Sequence, residues 1–252
     1  MKKTLLISSL LAVFSTTAMA EGFDQYVTAK GTVARMQNKF SGEAAYENKR
    51  NLRNHFDEKK SDTIGGFRIG YGLIFPAFDG SLRGEIEYGY NSKASLNSGF
   101  QHLHAGANQG GKPVNHQTSV DYSSSIKSQF LMANAYYDFN TGTAFTPYLG
   151  AGIGYGRLKT NNNITVIGNR ISISETSNNF IWNVGVGVAF AIDSNLAIDA
   201  GYRFTDYGSV KKNHKSKIIF PGKTEASKYP QHIGTKSKIR SNEFNLGIRY
   251  TF

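Results

Sequence analysis

The sequence predicts an all-β fold, an eight-stranded antiparallel transmembrane β-barrel with four long extracellular loops and short periplasmic turns. Eight stretches alternate apolar side chains with polar or small ones, and this period of two places the two kinds on opposite faces of a strand. The connections alternate strictly between short and long, so all tight turns lie at one end and all long loops at the other. No apolar run reaches the roughly 20 residues that a membrane-spanning helix needs.

The segment 241–252 shows the period most clearly, with apolar side chains at Phe244, Leu246, Ile248, Tyr250 and Phe252. The other predicted strands are 26–35, which is weaker, 64–75, 81–93, 128–139, 147–157, 180–192 and 196–205. Because only a closed sheet satisfies its backbone in lipid, we expect apolar faces outward, polar faces inward, and the last strand paired with the first. The alternative, a soluble sandwich or lipocalin-like barrel, would have to bury those apolar faces and does not explain why the long loops share one end.

The predicted connections and the aromatic residues give this barrel two distinct ends. Short turns are expected near 76–80, 140–145 and 193–195, and long loops near 37–61, 94–125, 160–179 and 209–238. Aromatic side chains are typical of the two membrane interfaces of such barrels. We expect Phe75, Phe139, Phe190 and Phe252 at the turn end, and Tyr90, Tyr155, Phe180, Trp182 and Phe204 toward the loop end.

Residues 1–20 have the three zones of a secretory signal peptide: Lys2 and Lys3, an apolar run, and a small-residue end at Ala20. We therefore expect residues 21–252 to form the exported barrel, located in the outer membrane of a Gram-negative cell with its loops outside. Removal of Lys2 and Lys3 lowers the formal charge from +11 to +9, so the exported chain stays basic. This balance suggests acidic partners. The chain has no cysteine, so no disulfide is expected.

Charged side chains at inward positions predict an ionic network in the lumen. The network residues are Arg68, Arg83, Glu85, Glu87, Asp138, Asp199, Arg203, Glu243 and Arg249. We expect Arg68 to face Glu85 or Glu87, and Arg203 to face Asp199 or Glu243, since an unpaired buried charge is costly. An eight-stranded barrel is just wide enough for side chains to fill, which favours a structural plug over an ion-selecting lining. The inward glycines of GAGIGYG, residues 150–156, are expected to leave space for Arg and Tyr side chains from opposite strands.

The segment 209–240 carries most of the excess positive charge. It contains a single acid, Glu225, against Arg240 and eight lysines, Lys211, Lys212, Lys215, Lys217, Lys223, Lys228, Lys236 and Lys238. Two interpretations stay open: the lysines bind phosphates of the cell's own lipopolysaccharide, or they capture sulfated or sialylated host glycans with salt-sensitive affinity.

No group of residues in the sequence predicts catalysis, a cofactor or a nucleic-acid partner. The spacing of His102 and His104 places both on one side of an extended segment and is compatible with a transition metal, but such histidines in loops are more often only solvated. We expect no enzyme activity and no metal.

Three segments, ANAYYDFNTGTAFTPYLGAGIGYGRL (133–158), LAIDAGYRFTDYG (196–208) and SNEFNLGIRYTF (241–252), resemble the opacity proteins, or opacity porins, of Gram-negative outer membranes. The resemblance implies an eight-stranded scaffold whose loops bind host adhesion receptors related to carcinoembryonic antigen, or heparan sulfate proteoglycans. It also implies that Phe252 is a signal for the barrel-assembly machinery. The loop 209–238 departs from the family, whose last loop is short. The alternative functions are a passive small-solute pore and a structural protein associated with lipopolysaccharide.

Overall fold

Eight antiparallel strands close into one barrel in the order β1-β2-β3-β4-β5-β6-β7-β8. The computed structural model describes residues 23–46, 53–107, 113–166, 169–216 and 231–252, with side chains described for 23–39, 41, 59–96, 123–161, 163, 174–211 and 236–252. The strands are β1 (Asp24–Tyr46), β2 (Arg53–Ala77), β3 (Gly80–Ala107), β4 (Pro113–Phe139), β5 (Phe145–Val166), β6 (Asn169–Ala191), β7 (Leu196–Ser216) and β8 (Gln231–Thr251). Within these ranges, no helix is long and apolar enough to cross a bilayer.

The first and last strands seal the barrel, as the sequence predicts. Thr32 of β1 lies opposite Gly66 of β2 on one side and Asn245 of β8 on the other. At the seam, the backbone N–H of Phe252 donates to the carbonyl of Gln25 at 2.9 Å. Each strand therefore has two hydrogen-bonded neighbours, and the predicted fold class is confirmed.

The three short turns are at the predicted places. The turn after β2 bends at Phe78, which has a φ of 52°. In the next, the Asn140 side chain accepts a hydrogen bond from the N–H of Gly142, which has a φ of 65°. In the third, Asp193 Oδ1 accepts from the N–H groups of Asn195 and Leu196, both at 2.8 Å. These turn residues satisfy their backbone locally, as short polar side chains in turns commonly do.

The outer wall between the two aromatic levels is apolar. Ile153, Val186 and Leu246 are 59%, 59% and 63% exposed, as lipid-facing residues must be. At the loop end, the rings of Trp182 and Phe204 lie 5.6 Å apart and form part of the predicted aromatic girdle. The alternation of faces thus follows the predicted pattern, apolar outward and polar inward.

The strands extend well beyond the predicted strand ends. The segments 37–46 and 231–238, predicted as loop, belong to β1 and β8. Around the predicted strand ends, several inward positions become apolar while outward ones become polar, and Asn38 stays polar at an inward position. On β1, Met36 is buried while Arg35 and Lys39 are exposed, and on β8, Ile239 is buried while Arg240 is exposed. The inversion indicates that the solvent outside the wall changes from lipid to water.

Inward glycines accommodate aromatic rings from the neighbouring strand. Tyr26 lies opposite Gly72, and a Cβ at Gly72 would overlap the Tyr26 ring and the backbone oxygen of Gly84. A Cβ at Gly150 would similarly overlap the Tyr136 ring. The expected space is present, but adjacent strands use it, whereas the sequence suggested opposite ones.

We expect Gly72→Ala to lower the free energy of unfolding by about 1–3 kcal/mol, the usual cost of overpacking a well-filled interior. Gly84→Ala is the control, because nothing lies within 4 Å of a Cβ at that position. Urea unfolding of both variants, refolded in vesicles and followed by tryptophan fluorescence, measures the difference. Equal stability of the two variants would contradict this account of the lumen.

Candidate functional site

The periplasmic half of the lumen contains a layer of buried ion pairs. Arg68 pairs with Glu243 at 2.8 Å, with both side chains 0% exposed. Arg203 donates two hydrogen bonds to Glu87, at 2.6 and 3.1 Å. Such a bidentate pair combines charge with fixed geometry, which makes it one of the stronger polar interactions inside a protein.

A second group of ion pairs completes the layer. Arg83 Nε donates to Asp138 Oδ2 at 2.7 Å, and Arg249 lies 3.5 Å from the same oxygen. Glu85 lies 3.9 Å from Lys30 Nζ. Each buried carboxylate named here therefore has a cation beside it, as burial of charge requires.

The pairing partners differ from those that the sequence suggested. Arg68 pairs with Glu243 rather than with Glu85 or Glu87, and Arg203 pairs with Glu87 rather than with Asp199 or Glu243. These two arginines reach carboxylates on strands that are not their neighbours, whereas Arg83 pairs with Asp138 on the adjacent strand. Proximity in the sheet is therefore a poor guide to partners in a barrel of this size.

Buried tyrosines add hydrogen bonds to the network. Tyr148 donates to Asp199 at 2.7 Å, and Tyr207 donates to Glu243 at 2.9 Å. The guanidinium of Arg83 lies 4.5 Å from the centre of the Tyr136 ring, within cation–π range. Sequence reasoning named neither these tyrosines nor Lys30; the polar positions Thr28 and Thr32 on either side of Lys30 were the available signal.

An apolar layer lies above the ionic one, toward the outside of the cell. It consists of inward side chains of the strand extensions and the girdle level: Ala34, Met36, Ile64, Ala94, Leu96, Ile126, Phe130, Met132, Leu158, Ile181, Tyr207 and Ile239. The rings of Phe130 and Tyr207 are in contact at 5.8 Å, and Tyr207 also joins the ionic layer through Glu243. The two layers fill the described lumen with side chains, which favours the plug.

One small cavity lies within the ionic layer, beside Lys30, Tyr136, Tyr148 and Arg203. Its accessible volume of about 20 Å³ is enough for about one water molecule. A hydrated small solute would not fit there.

The structure describes only some of the predicted ligand-binding lysines. Lys211 and Lys236 are exposed and lie directly opposite each other on β7 and β8. Lys238 is 42% exposed at its side chain and lies 3.9 Å from Asp206, whose main partner is Arg240 at 2.9 Å. Lys212 and Lys215 belong to β7, but their side chains, and all of Lys217, Lys223 and Lys228, lie outside the described residues.

The other predicted features are placed as follows. Phe252 is 62% exposed on the outer wall, and its role as an assembly signal stays a prediction. The side chains of His102 and His104, like residues 1–20, are outside the described parts of the chain. Among the side chains that are described, no group of three His, Cys, Asp or Glu could hold a metal ion.

A closed barrel with an apolar wall, two aromatic levels and a plugged polar lumen defines an integral outer-membrane β-barrel protein. Residues 6–252 match the family model of the outer membrane protein beta-barrel domain, and the chain belongs to this family. It is 32% identical over 254 aligned residues to outer membrane protein PagN of Salmonella typhimurium, an alignment that covers 98% of this chain and 97% of the relative. It is 27% identical to opacity protein opA67 of Neisseria gonorrhoeae over 143 residues, which cover 47% of this chain and 51% of the relative.

Solved structures of bacterial surface and outer-membrane proteins also resemble the chain. Neisserial surface protein A matches with a TM-score of 0.42 at 20% identity, over 92% of this chain and 100% of the other. The outer membrane protein OprG of Pseudomonas aeruginosa matches with a TM-score of 0.47 at 12% identity, over 92% and 96% of the two chains.

We expect Glu87→Gln to lower the free energy of unfolding by about 3 kcal/mol or more, because it leaves Arg203 buried without its counter-ion. Arg240→Gln removes a half-exposed cation from buried Asp206, which keeps Lys238 at 3.9 Å, and should therefore cost less, about 1 kcal/mol. Urea titrations in vesicles compare the two. Equal losses would show that the lumen is open enough to screen the Arg203 charge.

Planar-bilayer recording tests the plug directly. Because both layers fill the described lumen, we expect the refolded wild-type barrel to show no steady single-channel openings. Vesicles that retain a small entrapped dye in the presence of the barrel would agree with this result. Reproducible openings of one defined size would instead establish a continuous aqueous path and support the passive pore.

Proposed function

We propose that the protein is a non-enzymatic surface-binding protein whose segment between β7 and β8 captures sulfated or other strongly anionic glycans of host cells. The observation that carries the proposal is the charge of residues 209–240, in which nine basic side chains accompany one acid. Three of these lysines, Lys217, Lys223 and Lys228, lie between β7 and β8, and the other six basic residues belong to the two strands. Multiple lysines on one segment give long-range attraction to a polyanion and an affinity that falls with salt.

The barrel supports this proposal by serving as a rigid scaffold. Its lumen is occupied by ion pairs and apolar side chains, which leaves the external segments as the part available for ligands. The strand extensions carry these segments beyond the lipid level. The resemblance to opacity proteins implies host-cell binding through such segments. The similarity to PagN over nearly the whole chain supports the same class, an outer-membrane protein.

Binding of the refolded full-length barrel to immobilised heparan sulfate over a salt series tests the proposal. A tip variant, Lys217→Gln/Lys223→Gln/Lys228→Gln, removes three charges near the middle of the segment. A wall variant, Lys39→Gln/Lys236→Gln/Lys238→Gln, removes the same number from the barrel wall. We expect binding that weakens steeply with salt, a loss of at least about tenfold in the tip variant, and a much smaller loss in the wall variant.

Two outcomes would contradict the proposal. If the tip variant binds as well as the wild type, the glycan site lies elsewhere. If the wild type does not bind even at low salt, the segment does not capture sulfated glycans. Circular dichroism of each variant verifies that the barrel has folded.

A further inference from the structure

Five lysines form a lysine patch on the outer wall of β7, β8, β1 and β2: Lys39, Lys59, Lys211, Lys236 and Lys238. All lie at outward positions, and all are exposed except Lys238, which is half-exposed. A smaller group with the same orientation, Lys127, Arg157 and Lys159, lies on β4 and β5. The positive charge therefore lies on the side of the barrel as well as in the segments above it.

The sheet places these lysines directly against one another. Lys39 lies opposite Lys59 on one neighbour and opposite Lys238 on the other, while Lys211 lies opposite Lys236. Like charges directly opposite across two strands are destabilising. Among the described side chains, Asp206 is the acid beside the patch, and it is already engaged by Arg240 at 2.9 Å. Anions from outside the protein would relieve this repulsion.

The height of the patch indicates where those anions come from. The guanidinium of Arg240 lies 5.9 Å from the centre of the Phe204 ring, which places Arg240 at the aromatic girdle. Lys238 is two residues further along a tilted strand, a rise of about 5 Å. The change of phase at Ile239 marks the same boundary from inside the barrel. The patch thus begins where lipid acyl chains give way to lipid head groups.

We propose that the lysine patch binds the phosphate groups of the outer-leaflet glycolipid of the protein's own membrane, lipopolysaccharide. The patch faces sideways into the lipid layer, where phosphates surround the barrel at this depth. A large polysaccharide from another cell approaches from above and would have to displace that layer to reach it. The inference is tested separately from the glycan-binding proposal, since it concerns the lysines of the wall, whereas the glycan test changes Lys217, Lys223 and Lys228 between β7 and β8.

Native mass spectrometry of the detergent-refolded full-length barrel tests the inference. The probes are diphosphorylated lipid A and the same lipid after removal of its phosphates, offered to the wild type, the wall variant and the tip variant. Each lysine near an anionic surface contributes on the order of 1 kcal/mol. We therefore expect the wall variant to lose at least about tenfold in affinity for the phosphorylated lipid. The tip variant should bind it like the wild type, and the dephosphorylated lipid should not distinguish the three proteins.

Three results would overturn the inference. The wild type could bind both lipids equally, or the wall variant could bind the phosphorylated lipid as well as the wild type does. In a third arm, inorganic phosphate is added in excess. Displacement of the lipid by free phosphate would also overturn the inference, because the patch would then be a general anion site. Since heparan sulfate binding is measured separately with the same two variants, failure here leaves the glycan result intact.

Discussion

The structure depends on one constraint: in lipid, every backbone N–H and C=O must find its partner within the sheet. Eight strands meet it by closing β1 on β8, with no free edge in the order of the sheet. Closure then imposes a strict alternation, since each residue of a strand faces either the lumen or the lipid. A lumen this narrow has to hold whatever points inward. The ion pairs, the tyrosines and the glycines that make room for them are all consequences of that alternation.

The inward side chains fill the lumen in two layers of different chemistry. Beside the apolar wall, inward positions are polar, and long arginines cross to carboxylates such as Glu87 and Glu243. Beyond the girdle, where the wall meets water, inward positions such as Met36 and Leu158 are apolar and pack together as in a soluble protein. Tyr207 joins the layers, because its ring contacts Phe130 while its hydroxyl donates to Glu243. In the described part of the lumen, a mainly polar layer thus lies inside the apolar wall, and a mainly apolar layer lies inside the polar part of the wall.

The period of two was sufficient to predict the number of strands, their direction, the turns and the inward charges. It failed at the strand ends, where apolar residues move from outward to inward positions. A search for one continuous apolar face ends the strand at that point and assigns the remainder to a loop. Met36 on β1 and Ile239 on β8 were the available signals. Ion partners such as Arg203 and Glu87 could not be predicted, because they depend on how the strands are staggered around the barrel, which the sequence of one chain does not reveal. Lys30 was missed because its strand has a weak apolar face.

The strand extensions also bear on the two binding proposals, in which one basic protein binds two kinds of anion with different lysines. A charge on an exposed strand is held at a fixed height, within about 5 Å per two residues, whereas the surrounding lipid presents its phosphates in a thin layer. Lysines on the wall therefore meet phosphates only if their strand positions match that layer, as those of Lys238 and Lys39 do. The two proposals therefore assign anions by position: wall lysines to the phosphates of the lipid layer, and the lysines between β7 and β8 in the sequence to ligands from outside.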